Sequence, residues 1–280
     1  MKLAAVVVTY NPNVEEAVNN IKQYIDHVDT LIVWENAPLD NVFKIKLEGY
    51  SHKIIYKGTG KNEGIGFALN RAVEWAVEND YSCILTMDQD SFFENFQFYK
   101  KKVEQYFEIK EIGIFSPIIK SPIIKDESNI ENEEEDIQLI EKSITSGSIY
   151  NINLFNKIGL FKEEYFIDVI DTEFCLRAKK NGYLTVAVTG AFLKQEFGAL
   201  TKSRLGFTSR NYSPFRLYFI IRNSIWFWKE YSAIYPFREK RYFVSYIFIQ
   251  SFKIAVHESN KFQKYKSMLK GIYDGIRRSK

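Results

Sequence analysis

Residues 83–91 read Cys-Ile-Leu-Thr-Met-Asp-Gln-Asp-Ser. The first five are apolar or β-branched, the length of a strand buried on both faces. The chain then turns polar, with Asp88 and Asp90 two residues apart at the strand's exit. Two carboxylates so placed repel one another unless a cation lies between them. An all-oxygen donor pair suits Mg²⁺ or Mn²⁺, ions that usually share their coordination with substrate phosphates. The plain alternative is an acidic turn. What favours the metal reading is that this run is the fourth of a series.

Working back towards the N-terminus, residues 3–9 form a buried apolar run closed by Asn11-Pro12, and residues 14–24 carry apolar positions at helical spacing. Residues 30–35 (TLIVWE) and 53–57 (KIIYK) read as further strands, and 64–78 as a helix on Ile65, Ala68, Leu69, Ala72 and Trp75. Strands alternating with helices predict right-handed βαβ units and a parallel sheet that binds ligands at its carboxyl ends. The Gly58-Thr59-Gly60-Lys61 run between a strand and a helix fits neither the dinucleotide nor the ATP glycine pattern. Asn62, Gly64 and Gly66 nonetheless keep side chains small at a helix start, where a ligand can approach the backbone.

Forward from the acidic pair, residues 113–117 give another strand and 125–142 an acidic surface loop. Thr145-Ser146-Gly147-Ser148 reads as a small-residue turn or strand. A helix begins near Asp171, with Phe174, Cys175 and Ala178 inward and Arg177 placed to pair with Glu173. Asp171 is then either a helix cap or a catalytic base. There is no G-x-S-x-G elbow for serine hydrolase chemistry. Cys83 and Cys175 sit among apolar neighbours and read as packing, too few for a disulfide framework or, with three histidines, a structural zinc site.

The net charge of +3 conceals a division. Residues 1–200 hold 21 basic and 31 acidic side chains, whereas 201–280 hold 17 and 4. The basic part is also aromatic, and three amphipathic helices fit residues 214–231, 238–257 and 261–277. Most of these aromatics are expected to pack inward. The remaining charge suits an anionic bilayer surface better than nucleic acid, since no RNA-recognition motif is present. With no signal-peptide pattern and no long apolar run, the expectation is a soluble or surface-bound protein of a reducing compartment.

Taken in order, VVVTYNP (6–12), IVWENAP (32–38), NEGIGFALNRA (62–72), TMDQDS (86–91), the block at 145–183 containing FIDVIDTEFCLR, and Arg222-Asn223 resemble the GT-A fold, family 2 glycosyltransferases, in particular the bacterial rhamnosyltransferase-like group. The resemblance implies an α/β GT-A domain over residues 1–205, with a mostly parallel sheet flanked by helices, and a helical C-terminal appendage over 206–280. It implies inverting transfer of L-rhamnose from dTDP-rhamnose to a saccharide or polyprenyl-linked acceptor in cell-surface polysaccharide synthesis. A UDP-hexose donor, or a catalytically silent sugar-nucleotide-binding scaffold, are the alternatives.

Residue by residue, Thr9, Tyr10 and Asn11 match the segment that meets the nucleotide base. Glu35 and Asn36 match the second-strand motif at the base or ribose. Asn62, Gly64 and Asn70 match the segment along the nucleotide-sugar, and Asp88, Gly147 and Arg222 complete the implied donor set. Asp88 and Asp90 match the family's Mg²⁺ or Mn²⁺ motif, and Asp171 its general base. Where the family often carries a metal-binding His in H-x-x-G, this chain has Gln195-Glu196-Phe197-Gly198. Gln195 offers a carbonyl oxygen instead, with Glu196 as an alternative. Partners so implied are the nucleotide-sugar and the acceptor; the basic, aromatic C-terminal helices add an anionic membrane surface, a homodimer is left open, and the location expected is cytoplasmic, either free or peripheral on the inner face of the plasma membrane.

Overall fold

The computed structural model describes residues 1–120, 135–195, 201–202, 208–234 and 237–278. Contacts divide the chain into two units. The first is Met1–Phe166 with Ile170–Glu196, and the second is Ile167–Val169 with Phe197–Lys280.

The first unit is built on one nine-stranded sheet. Its strands are β1 (Leu3–Thr9), β2 (Thr30–Glu35), β3 (Ile54–Gly58), β4 (Cys83–Asp88), β5 (Ser91–Phe93), β6 (Ile112–Lys120), β7 (Ile137–Ile140), β8 (Ile149–Asn151) and β9 (Leu184–Gln195). They run in the order β3-β2-β1-β4-β8-β6-β9-β5, with β7 also on β9. Between them come helices α1 (Val14–Lys22), α2 (Asn41–Lys46), α3 (Ile65–Glu78), α4 (Phe96–Tyr106), α5 (Ile152–Ile158) and α6 (Ile170–Lys180).

Pairings among β1, β2, β3 and β4 are all parallel, as the alternation predicts. β1 and β4 are buried along nearly their whole length, which is why they read as continuous apolar runs. β8, however, pairs antiparallel with both β4 and β6, and β5 and β7 run antiparallel to β9. Six strands therefore point one way and three the other. The three reversed strands hold three or four residues each, too short to show a period of their own. The sheet is mixed, though mostly parallel, and the expected α/β class holds.

Two further expectations need correcting. Residues 137–140 lie inside the stretch read as an acidic loop, yet they form edge strand β7 against Thr185–Val188. Asp136, just before it, is anchored by Lys102 at 2.6 Å and the Tyr106 hydroxyl at 3.1 Å. Residues 125–134 of that stretch lie outside the described residues. Helix α6 begins at Ile170, so Asp171 occupies its first turn and is not its cap.

α6 is fastened by its inner face. Phe174, Cys175 and Ala178 are buried, and Phe174 packs into an aromatic cluster with Tyr150, Phe155 and Phe161. Glu173 is also fully buried, paired with Arg177 at 3.0 Å and Lys162 at 3.3 Å. A buried carboxylate is tolerated only with such compensation.

The second unit contains a two-stranded ribbon, β10 (Thr201–Lys202) with β11 (Thr208–Ser209), and helices α7 (Pro214–Tyr231), α8 (Phe237–Val256) and α9 (Lys261–Arg277). Ser213 caps α7 by accepting from the Arg216 N–H, and Pro214 occupies the first turn, where no N–H is needed. Leu217, Ile221, Ile254 and Met268 form its apolar core. Beside it, Lys264 and Glu258 are buried as an ion pair at 2.6 Å, with Ser209 and Gln250 also donating to Glu258. Among the aromatics expected to pack inward, Phe219, Phe227 and Tyr231 are buried. Phe215, Tyr242, Phe248, Phe252, Phe262 and Tyr273 are exposed instead.

Candidate active site

The carboxyl ends of β1, β2 and β4 lie side by side, with Thr9 in register with Glu35 and Val8 with Asp88. This edge of a parallel sheet is where ligands bind in open α/β folds. The Thr9 hydroxyl donates to the Trp34 carbonyl at 2.9 Å, and the Thr9 carbonyl accepts from the Asn36 N–H at 2.9 Å. These bonds fix the exits of the two strands together. Tyr10 is exposed, and Asn11 has φ 45°, a left-handed turn that Asn tolerates well. Glu35 forms an ion pair with Lys44 of α2 at 3.0 Å. Asn36 is buried with no hydrogen-bond partner for its Oδ1.

Gln89, between the two acidic residues, stitches this edge. Its Oε1 accepts from the Tyr10 N–H at 2.7 Å and its Nε2 donates to the Tyr10 carbonyl at 3.2 Å. Asn20 of α1 in turn donates to the Gln89 carbonyl at 3.0 Å. On the other side the Asp88 N–H donates to the Ser146 hydroxyl at 3.1 Å, and Ser146 donates to the buried Ser91 at 2.7 Å. Neither Gln89 nor Ser146 is singled out by the motif. A polar side chain beside an acidic or glycine neighbour is the signal that the sequence offers for them.

The antiparallel pairing of β5 with β9 sets Ser91 opposite Gln195, and so delivers Gln195 to Asp88. Gln195 Nε2 donates to Asp88 Oδ2 at 2.9 Å, joining residues 107 positions apart in sequence. A carboxylate can only accept, so the amide must present its nitrogen there, which leaves Gln195 Oε1 turned away. That oxygen is buried and has no hydrogen-bond partner. The orphaned Oε1 is the donor chemistry a hard cation takes, but as placed it faces away from Asp88 and reaches an ion shared with that carboxylate only when the amide turns over. With the amide so turned, Asp88, Asp90 and Gln195 supply the all-oxygen set that suits Mg²⁺ or Mn²⁺. Among the described residues no group of three His, Cys, Asp or Glu side chains is placed to hold an ion by itself. Asp90 is exposed in the turn between β4 and β5. Glu196 and Gly198 lie outside the described residues.

The remaining sequence candidates divide between open and committed groups. Asn62 Oδ1 accepts from the Gly64 N–H at 3.1 Å and shapes the entry to α3. At Gly64, φ 91° and ψ 163°, a Cβ would sit 2.8 Å from the Phe166 ring and its carbonyl oxygen. Asn70 is buried and fully engaged, donating to the Phe161 carbonyl and Glu163 and accepting from the Phe161 N–H. Gly147 has φ 82°, and a Cβ there would meet Pro117 at 2.8 Å and Leu193 at 2.9 Å. Close packing accounts for Gly64 and Gly147 at their positions, and hydrogen bonding for Asn70. Arg222 belongs to the second unit, where Nε and Nη2 donate to Asn223 Oδ1 at 3.0 and 2.8 Å. Burial lowers its guanidinium's affinity for a proton.

Asp171, in the first turn of α6, accepts from the Thr172 N–H at 2.7 Å. A negative charge there is favoured by the helix dipole. Cys175 on the same helix is buried, and burial raises its thiol above the ordinary value, with Asp171 adding in the same direction. Cys83 is likewise raised by burial within β4.

No family model matches the chain. It is 27% identical over 291 residues to the dTDP-rhamnosyl transferase RfbF of Shigella flexneri, spanning 98% of this chain and 95% of that protein. Among solved structures it resembles S. aureus TarS residues 1–349 in complex with UDP-GlcNAc, with a TM-score of 0.57 and 16% identity over 99% of this chain and 81% of that one. GalNAc-T7 with UDP, GalNAc and Mn²⁺ aligns with a TM-score of 0.58 and 13% identity over 83% of this chain, which spans about half (49%) of that protein. Fold and whole-length relative agree with the motif reading: the chain has the GT-A fold and is similar from end to end to a bacterial dTDP-rhamnosyl transferase.

Proposed function

We propose that the chain transfers L-rhamnose from dTDP-L-rhamnose, with inversion, to a saccharide or lipid-linked acceptor. The observation carrying the donor assignment is the end-to-end similarity to a dTDP-rhamnosyl transferase. Asn36 Oδ1, buried without a partner, supplies an acceptor for an N–H of a nucleotide base, and Thr9 and Tyr10 form the strand exit beside it. Asp88, Asp90 and Gln195 would hold Mg²⁺ or Mn²⁺, which when bound neutralises charge on the departing diphosphate. Asp171 takes the proton of the acceptor hydroxyl as its oxygen bonds to the anomeric carbon and the carbon–phosphate oxygen bond breaks. Holding both substrates in line removes the entropy of encounter from the barrier.

Saturation-transfer NMR with dTDP-rhamnose, UDP-glucose and UDP-galactose, each with Mg²⁺ or Mn²⁺ and then EDTA, tests this reading. Metal-dependent binding of dTDP-rhamnose alone is expected. Preference for a UDP-sugar would sink the rhamnosyl assignment, and no binding at all would favour a silent scaffold.

The appendage reading extends to a membrane partner. Among the described residues no helix is long and apolar enough to span a bilayer. On α8, Val244, Phe248, Ile249, Phe252 and Val256 nonetheless form an exposed apolar face, in a region of strong positive charge. Co-sedimentation with anionic but not neutral liposomes at physiological salt is expected, and equal partition into both or neither refutes it.

A further inference from the structure

The backbone ladder between β1 and β4 ends at the pair Val8 and Asp88. Just beyond it, the Gln89 side chain takes the ladder's place. Its Oε1 accepts from the Tyr10 N–H at 2.7 Å, and its Nε2 donates to the Tyr10 carbonyl at 3.2 Å. The two bonds fix which way the amide lies, since turned over it would set oxygen against oxygen and N–H against N–H. Tyr10 is exposed, so water competes for its backbone groups, and two bonds from one side chain hold better against that competition than one.

The turn that carries Asp88 and Asp90 is held from other sides as well. Asn20, buried on the otherwise apolar inner face of α1, donates to the Gln89 carbonyl at 3.0 Å. A buried amide needs a partner, and here the acidic turn is that partner. The Ser146 hydroxyl accepts from the Asp88 N–H at 3.1 Å and donates to Ser91 at 2.7 Å, closing the turn from the segment ahead of β8. On the far side of Tyr10, Thr9 is bonded to the exit of β2 through the Trp34 carbonyl and the Asn36 N–H, each at 2.9 Å. Gln89 thus links two groups of residues, the exits of β1 and β2 and the acidic turn, and all of them belong to the first unit.

We propose that Gln89 is a positioning residue for the nucleoside diphosphate. It holds Tyr10 and the Asp88–Asp90 turn at one spacing, so that a base at the β1 and β2 exits and a diphosphate at the acidic pair are engaged together. The inference rests on the donor reading above. Two carboxylates in one turn repel, and a two-point anchor resists the opening that repulsion drives. A spacing set in advance also spares the cost of ordering the turn on binding. Each end of the nucleotide is met by groups that Gln89 does not supply. Losing it should therefore leave each end its own affinity and remove the advantage of binding both.

The test uses the full chain, with thymidine for the base end alone and dTDP for both ends, each titrated by NMR with Mg²⁺ and then EDTA. Gln89→Met keeps the side chain's length and loses both bonds to Tyr10. It is expected to weaken Mg²⁺-dependent dTDP binding about 10–100-fold, the range for losing a partner behind a metal site, while thymidine binding stays within about twofold. Amide hydrogen exchange should rise at Tyr10, with Leu3–Val8 still protected. If Gln89→Met does not fold, Asn20→Ala is read in its place. It removes only the bond to the Gln89 carbonyl and should show a smaller loss of the same pattern.

A folded variant that binds dTDP as the wild type does, that loses thymidine and dTDP equally, or that leaves exchange at Tyr10 unchanged would overturn the proposal. The wild-type chain separates the two readings. With no Mg²⁺-dependent dTDP binding there, the donor reading falls and this inference with it. With such binding present and matched by Gln89→Met, the inference alone falls.

Discussion

Gly64→Ala is expected to damage the first unit far more than an alanine at any ordinary helix start, and the chain contains its own reference for why. Gly159 has φ 82° and ψ 176°, close to the 91° and 163° of Gly64, in a region essentially reserved for glycine. At Gly159 the nearest atom to an added Cβ is Arg177 Nη1 at 3.5 Å, an ordinary contact. At Gly64 the Cβ would sit 2.8 Å from both the Phe166 ring and its carbonyl oxygen. Gly159→Ala therefore reads backbone strain alone, about 1–3 kcal/mol. Gly64→Ala adds overpacking of about 1–3 kcal/mol, because backbone atoms of Phe166 must move. At about 2–4 °C per kcal/mol for a unit of this size, the Gly64 variant should melt about 2–12 °C below the Gly159 variant. Thermal unfolding followed by circular dichroism measures the gap. Equal melting temperatures, or a lower one for Gly159→Ala, would refute the claim that Phe166 packing dictates this glycine.

Three other outcomes are expected. Gln195→Ala should weaken metal-dependent donor binding about 10–100-fold while Asp88→Asn removes it, read by titrating Mg²⁺ or Mn²⁺ in donor-binding NMR; unchanged metal dependence in both would refute the oxygen set. Burial alone would raise the Glu258 carboxyl, but hydrogen bonds from Lys264, Ser209 and Gln250 outweigh it and hold it below its ordinary 4.5. Its stabilising contribution is thus complete above about pH 4.5 and lost as pH falls through the lowered value, so Lys264→Met should cost about 3–5 kcal/mol at pH 7 and much less in acid, and a pH-independent loss would contradict this. Cys83 and Cys175, buried and raised by burial, should react with a thiol reagent only in denaturant; rapid labelling of the native chain would show that one of them is reached from solvent.

The sequence by itself determined the parallel half of the sheet and the C-terminal helices. Leu3–Thr9, Thr30–Glu35 and Cys83–Asp88 are buried on both faces, and burial on both faces writes itself as an unbroken apolar run. The bounds Pro214–Tyr231 and Lys261–Arg277 follow from helical periodicity. The acidic motif, too, needs only local order to be recognised. What tertiary structure decided lies where partners are distant. Gln195 meets Asp88 only because β5 reverses against β9, through a three-residue strand with no periodicity to announce it. The commitment of Asn70 to Phe161 and Glu163, and of Arg222 to Asn223, removes side-chain capacity that a motif counts as available. Likewise Asp168 meets Arg216 and the Ile167 carbonyl meets Asn223, some fifty residues on, only in the folded chain. Periodicity and composition report how each segment meets solvent or core; which polar atoms find one another is fixed only once the chain has closed on itself.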